Sequence, residues 1–156
     1  MTDLIDNAIW TEHLRRCIRC VRIKENPDPN VFYCDECQAA NTLFPGGERN
    51  RTRRCHDFVT ASMLRNIPGL YATENTPYAD KTFHVHYFVG RCHWYIAELD
   101  PETGDAFGYC DLGAGCPEWG YVNLRELEAM VVKGSFVVER ELDFTLCTVS
   151  GLGLRA

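Results

Sequence analysis

Apolar and polar residues alternate in short runs through the second half of the chain, and this pattern predicts antiparallel β-strands. HVHYFVG (84–90), HWYIAEL (93–99) and AFGYCDL (106–112) each predict one strand. DPETGD separates the last two runs. Within it Pro101 suits a turn and Gly104 can adopt a positive φ, so the two strands are expected to form a hairpin.

A helical pattern follows these strands. Asn123 suits an N-cap and Glu126 stands three residues later, as in a capping box. The apolar residues recur at helical spacing, and a glycine is placed to end the helix. These residues are Leu124, Leu127, Val131 and Gly134.

SFVVERELDF (135–144) predicts a final strand with one apolar and one acidic face. Phe136, Val138, Leu142 and Phe144 would share the first face, and Glu139, Glu141 and Asp143 the second. Arg140 falls on the apolar face, where a guanidinium needs a partner. It would pair with a carboxylate such as Glu98 or Glu118, or line a cleft and bind an anion.

Four of the nine cysteines predict a structural zinc site. They form the spacing C-x2-C-x13-C-x2-C, in which each pair can make a tight turn around one ion. The ligands would be Cys17, Cys20, Cys34 and Cys37. The intervening NPDPN turn between β-prone VRI and VFY indicates a hairpin. Four sulfur ligands close the site, so the zinc would be structural. The alternatives are a redox dithiol or unrelated cysteines.

The net charge of −6 is distributed unevenly: residues 1–12 carry −3, residues 13–54 carry +4 and residues 55–156 carry −7. No apolar run approaches the roughly 20 residues of a membrane-spanning helix. The N-terminal MTDLIDNAIW is acidic where a signal peptide would be basic. We therefore expect a cytoplasmic protein of the host cell without a membrane partner.

Basic residues cluster around the predicted ribbon, with Phe32, Tyr33 and Phe44 among them. Arginines interleaved with aromatic residues favour contacts with phosphates and bases. The predicted nucleic-acid-binding residues are Arg15, Arg16, Arg19, Arg22, Lys24, Arg51, Arg53 and Arg54; Arg49 lies beside the last three. The alternatives are a basic patch that docks on the acidic remainder of this chain, or a solvated loop.

Other histidines and cysteines leave several roles open. Cys55 and His56 could replace a ribbon cysteine, although four cysteines already satisfy an ion. His84 and His86 would share one face of a strand and could chelate a second metal. Alternatively they are partly exposed strand residues, and the cysteines are small core residues. The remaining members of this set are Cys92, His93, Cys110 and Cys116.

The expected fold is therefore of the α+β class: a small N-terminal zinc ribbon followed by a small antiparallel sheet with one or two short helices. The predicted units are an N-terminal segment 1–48 that contains the ribbon (17–37), a basic linker 49–62, and an α+β domain 63–156.

Four segments together resemble the bacterial and phage domain of unknown function 2958, in the same order and spacing. They are IPGLYATEN, WYIAELDPETGDAFGYCDLG, PEWGYVNLRELEAM and VERELDF, and they cover about Met63 to Phe144. The resemblance supplies no mechanism. It implies a mobile-element setting, because members are similar to accessory genes of plasmids, integrated elements and phages. The cysteine-rich front departs from the shorter members.

These observations predict a non-enzymatic, zinc-binding accessory protein that contacts nucleic acid or a nucleic-acid-processing host protein. Two alternatives remain. The first is an enzyme with a site near Arg140, Glu118 and the histidines. The second is an inhibitor whose acidic domain imitates nucleic acid to occupy a host defence protein. The oligomeric state is left open.

Overall fold

The computed structural model describes residues 43–45 and 47–154. Its helices include α1 (Arg51–Arg54), α2 (Ala61–Asn66) and α3 (Leu124–Ala129), with a 3-10 turn at Tyr78–Asp80. The strands are β1 (Thr82–Phe83), β2 (Val85–Val89), β3 (Cys92–Leu99), β4 (Asp105–Asp111), β5 (Glu118–Asn123), β6 (Val131–Val132), β7 (Phe136–Val137), β8 (Glu139–Arg140) and β9 (Cys147–Thr148). The α+β class with a small antiparallel sheet is confirmed. The predicted zinc ribbon lies outside the described residues.

The main sheet of the described residues has the strand order β5-β4-β3-β2-β8. Successive antiparallel pairings join β2 to β3, β3 to β4 and β4 to β5, and β8 returns to pair with β2. The predicted hairpin between β3 and β4 is confirmed, with Gly104 at a φ of +83°. The acidic turn therefore lies at one end of the sheet.

A β-bulge in β3 changes which side chains face each side of the sheet. The pairing register shifts between Ile96 and Glu98, so that Glu98 rather than Ala97 stands opposite Phe107. Gly108 pairs with Ile96 at this point, and a Cβ on Gly108 would lie 2.0 Å from the Tyr95 carbonyl oxygen. Only glycine fits there, so the bulge and Gly108 depend on each other.

One face of the sheet packs against the helices and forms the main core. Leu43, Phe58 and Val59 are fully buried in this core, together with Val85, Tyr87 and Ile96 of the sheet and Leu124 and Leu127 of α3. The predicted basic linker, residues 49–62, lies next to this core. This segment contains α1 and the start of α2, and its Phe58 and Val59 are fully buried in the core beneath the sheet.

The opposite face of the sheet is aromatic. Phe83, Ala97, Tyr109 and Val149 form a second buried cluster there, and Tyr95, Trp119, Phe144 and Leu154 pack against it. The short β1–β9 pair covers this cluster, since Phe83 and Val149 come from β1 and the residue after β9. The aromatic rings continue beyond the covered part toward the β4–β5 edge.

The predicted start of α3 is confirmed. The Asn123 side-chain oxygen accepts hydrogen bonds from the backbone N–H groups of Arg125 (2.9 Å) and Glu126 (3.4 Å). The predicted end is wrong, because α3 stops at Ala129 and Val131 belongs to β6. Gly134, at a φ of +74°, lies between β6 and β7 instead.

The predicted continuous strand 135–144 is also wrong. β7 pairs with β6, whereas β8 pairs with β2, so Val138 lies where the chain passes from the two-stranded β6–β7 sheet to the main sheet. Phe136 and Leu142 are 63% and 60% exposed, and only Val138 of the predicted apolar face is fully buried. No helix in the described part of the chain is long and apolar enough to cross a bilayer.

Candidate ligand-binding site

A pocket of about 590 Å³ opens on the aromatic side of the sheet, between the segment 71–81 and strands β3, β4 and β5. This volume lies within the range of small-molecule and side-chain binding pockets. We call it the tyrosine pocket, and it is lined by Tyr71, Glu74, Asn75, Thr76, Pro77, Tyr78, Lys81, Glu98, Phe107 and Tyr121.

Three tyrosines form the exposed walls of the tyrosine pocket. Tyr71, Tyr78 and Tyr121 are 63%, 52% and 59% exposed, although each ring also contacts another aromatic ring. Tyr78 stacks on Trp119 with ring centroids 5.0 Å apart, and Tyr121 lies 5.0 Å from Phe107. Aromatic side chains gathered around one concavity are typical of a binding site, because they offer large contact areas with little rotamer entropy to lose.

The floor of the tyrosine pocket contains a buried carboxylate. Glu98 is 3% exposed, and its oxygens accept hydrogen bonds from the Tyr71 N–H (2.6 Å), the Thr73 N–H (3.0 Å) and the Thr73 hydroxyl. The Lys81 ammonium lies 3.5 Å from the same carboxylate and donates to the Thr73 carbonyl at 2.6 Å. Segment 71–73 is thereby fixed to β3 through Glu98.

These contacts determine the ionisation of Glu98. Burial raises the pKa of the carboxyl group. The hydrogen bonds from Thr73 and Tyr71 and the charge of Lys81 lower this pKa and together outweigh the effect of burial, so the pKa lies below its ordinary value. Glu98 is therefore an anion at neutral pH. Glu98 accepts a hydrogen bond from the N–H of Tyr71, whose φ of +66° is uncommon for a residue other than glycine.

Sequence patterns did not identify these pocket residues. Phe107, Trp119 and Tyr121 occupy alternate strand positions on the face opposite the main core, which is the one available signal. Tyr71 lies in the IPGLYATEN segment, which contributed to the family resemblance and received no site role. The sequence suggested Glu98 only as a partner for Arg140. The β-bulge directs its side chain into the pocket, and the alternation of apolar and polar residues does not show where a bulge occurs.

The histidines form a different arrangement from the proposed His84–His86 pair. His86 Nε2 lies 2.9 Å from His93 Nδ1, and His86 Nδ1 lies 2.7 Å from a Glu141 carboxylate oxygen. Burial lowers the pKa of His86, although Glu141 opposes this effect. Among the described residues, no group of three His, Cys, Asp or Glu side chains is arranged to hold a metal ion.

The residues of the alternative enzyme site lie apart. Glu118 begins β5 and Arg140 ends β8, at opposite edges of the main sheet. Four inter-strand spacings separate these strands, roughly 19 Å. The Arg140 Nε–H donates to the Asp57 carbonyl at 3.0 Å, rather than pairing with Glu98 or Glu118. The three elements of that hypothesis do not meet in one cleft.

The cysteines of the described residues are free thiols. Cys92 and Cys110 pack against the main core, as small core residues would. Burial, reinforced by the charge of Glu118, raises the pKa of Cys110 to about 11. Cys55 and His56 have separate contacts: the first donates to the Thr52 carbonyl, and the second pairs with Glu139, 83 residues away in sequence.

The predicted nucleic-acid residues fall into two groups. Arg15, Arg16, Arg19, Arg22 and Lys24 lie outside the described residues, as do the ribbon ligands Cys17, Cys20, Cys34 and Cys37. In α1, Arg51 is paired with Asp57 at 2.6 Å but keeps an exposed side, and Arg53 is exposed. These two are on the surface, where a phosphate can reach them.

Arg54 has a structural position instead. Its side chain is fully buried, 2.7 Å from Glu128 and 3.2 Å from Glu48, and its guanidinium lies 4.8 Å from the centre of the Phe58 ring. Glu128 also accepts from the backbone N–H groups of Arg49 and Asn50. The structure therefore places Arg54 inside the fold, between two carboxylates.

Comparison with known proteins gives one family. Residues 60–150 match the family described as "Protein of unknown function (DUF2958)". No curated protein and no solved structure matches the chain. The matched segment contains the sheet, α3 and every residue that lines the tyrosine pocket, and it covers more than half of the 156 residues. The chain therefore belongs to the DUF2958 family.

Proposed function

We propose that this chain is a non-enzymatic, zinc-binding accessory protein of a phage or other mobile element, with two binding surfaces. The N-terminal ribbon and its arginines contact nucleic acid. The acidic domain contacts a nucleic-acid-processing protein of the host through the tyrosine pocket. The mobile-element setting follows from the family resemblance, and the zinc from the spacing of the four cysteines.

The tyrosine pocket is the observation that carries the binding function. Its exposed rings supply contact area, while its buried ions, Glu98 and Lys81, neutralise each other and hold segment 71–81 in place. A general acid at neutral pH needs a raised carboxyl pKa, whereas the pKa of Glu98 is lowered. This arrangement favours recognition over proton transfer.

The charge distribution supports two partners of different kinds. Residues 13–54 carry +4 and residues 55–156 carry −7, so a polyanion is attracted to the first region and repelled by the second. The acidic-mimic alternative requires carboxylates on an exposed face. Glu98 and Glu128 lie inside the fold with internal partners and do not contribute to such a face, whereas other acids of the domain, among them Glu74, Asp80 and Glu102, are exposed.

Two binding measurements on the full chain test the proposal. Fluorescence anisotropy with a labelled oligonucleotide should give an affinity that falls steeply with salt and weakens in Arg51→Ala/Arg53→Ala, while Tyr121→Ile leaves it unchanged. Affinity capture from host lysate should recover a nucleic-acid-processing protein with the wild type and lose it with Tyr121→Ile. An oligonucleotide affinity independent of salt, or identical capture by both proteins, would contradict the proposal.

A further inference from the structure

We propose that the tyrosine pocket binds a cationic side chain, an arginine or lysine presented by a peptide segment of the partner. This inference rests on the proposed function, because it names the chemistry that the acidic domain recognises. The rings, the unpaired charge of the pocket and the charge of the whole domain each favour a cation.

The rings of the tyrosine pocket already accommodate one ammonium group. Lys81 Nζ lies 6.0 Å from the centre of the Tyr78 ring and 5.6 Å from that of Phe107, which is within the range of cation–π attraction. Lys81 is 4% exposed and occupies the floor, where it is bonded to Thr73. Tyr71, Tyr78 and Tyr121 keep more than half of their surfaces open to solvent, so a second cation can reach them from outside.

The charged side chains of the tyrosine pocket leave one negative charge uncompensated. Lys81 and Glu98 form a buried pair. Glu74 also lines the pocket, is exposed, and forms no ion pair with any residue from 47 to 154. Asp80 stands nearby on the exposed 3-10 turn. A guanidinium or ammonium would therefore gain both ring and carboxylate contacts, whereas a phosphate would be repelled.

The net charge of the surrounding domain points in the same direction. Residues 55–156 carry −7, and such a field attracts basic segments and slows the approach of nucleic acid. The base of a nucleotide could stack on the same tyrosines, but the phosphates of the nucleic-acid backbone would be repelled by this field and by Glu74. A basic peptide is the ligand that satisfies both the rings and the charge.

The test titrates the full-length protein with a nine-residue Gly/Ser peptide that carries one central arginine, at concentrations up to the millimolar range. Trp119, which stacks on Tyr78, supplies the fluorescence signal. Matched peptides carry lysine or glutamine at the central position. The arginine peptide is expected to bind roughly tenfold more tightly than the glutamine peptide, equivalent to about 1.4 kcal/mol.

Three substitutions distinguish the contributions of the Tyr121 ring, the Tyr121 hydroxyl group and the Glu74 carboxylate to peptide binding. Tyr121→Ile keeps a strand-forming residue on β5 but removes the ring, and it should weaken the arginine peptide roughly tenfold, about 1.4 kcal/mol. Tyr121→Phe should stay within about twofold of the wild type, because the ring face remains. Glu74→Gln should weaken binding several-fold and reduce its salt dependence. Phe136→Ile changes an equally exposed aromatic residue of β7 outside the pocket and serves as the control.

Three results would overturn the inference. The first is equal affinity for the arginine and glutamine peptides, and the second is a Tyr121→Ile variant that is folded, by its urea midpoint, and binds like the wild type. The third is competition for the pocket by short oligothymidylate but not by the arginine peptide, which would identify a nucleobase site. If lysate capture depends on Tyr121 but the arginine peptide does not compete, the inference fails while the proposed function stands.

Discussion

Replacement of Arg54 by methionine should destabilise the fold more than any surface substitution of an arginine in this chain. The Arg54 guanidinium is fully buried between Glu128, 2.7 Å away, and Glu48, 3.2 Å away. Methionine fills much of the same volume but removes the positive charge, so two carboxylates with 0% and 2% exposed side chains lose their counter-ion.

The magnitude follows from the burial of both partners. Removing one partner of a buried ion pair costs about 3–5 kcal/mol, because the other charge stays uncompensated in the interior. For a chain of this size the melting temperature should fall by roughly 6–20 °C. Much of the loss comes from residues 48–54, which Glu128 fixes to α3 through the Arg49 and Asn50 N–H groups.

Urea denaturation followed by tryptophan fluorescence measures the free energy of unfolding directly. Arg53→Met, at the exposed neighbouring position, is the matched control and should change stability by no more than about 0.5 kcal/mol. In a double-mutant cycle, Glu128→Gln should cost less in the Arg54→Met background than in the wild type. A loss below about 1 kcal/mol for Arg54→Met, or strictly additive effects, would refute the buried-pair reasoning.

Three further predictions concern the bulge, the pocket floor and the ribbon. Gly108→Ala should lower the free energy of unfolding in urea by about 3 kcal/mol or more, because the new Cβ would clash with the Tyr95 carbonyl. Gly120→Ala on the neighbouring strand is the control, because a Cβ there meets nothing within 4 Å. Equal losses for the two variants would contradict the close approach at Gly108. The pKa of Glu98 in the folded protein lies below its ordinary value of 4.5, so the stability that its carboxylate contributes is present above that pH and is lost as pH falls below about 4.5. Glu98→Gln should therefore lose about 3 kcal/mol of stability at neutral pH, and its stability should depend less on pH in the acid range. Parallel curves of stability against pH for the variant and the wild type would be evidence against this role. Elemental analysis should find one zinc per wild-type chain and a clear loss in Cys34→Ser but not in Cys116→Ser, which changes an exposed free cysteine; a metal-free wild type would exclude the ribbon.

The elements that could be predicted from sequence have local signals. Pro101 and Gly104 specify a turn within six residues, and Asn123 caps a helix through the next three, so the β3–β4 hairpin and the start of α3 were both predicted. The strand 135–144 also has a local signal, a clean alternation, yet it was predicted wrongly. Alternation specifies faces but not partners, and β7 and β8 pair with different strands.

The charged sites could not be predicted because their partners are distant in sequence. Arg54 lies in a basic run that indicates surface, but its partner Glu128 is 74 residues away. Glu98 reaches Tyr71 across 27 residues, and only through a bulge whose position depends on the Gly108 contact. Burial decides the role of each group, and burial is a property of the tertiary structure rather than of the local sequence.

The central claim, that the tyrosine pocket is the ligand site of this domain, is tested most directly by NMR chemical-shift mapping of the full chain during titration with the arginine peptide. We expect the perturbed amide and aromatic resonances to cluster on segment 71–81, Phe107 and Tyr121, and to be absent in Tyr121→Ile. Perturbations centred instead on His86, His93 and Glu141, or an absence of saturable shifts in the pocket, would contradict the claim.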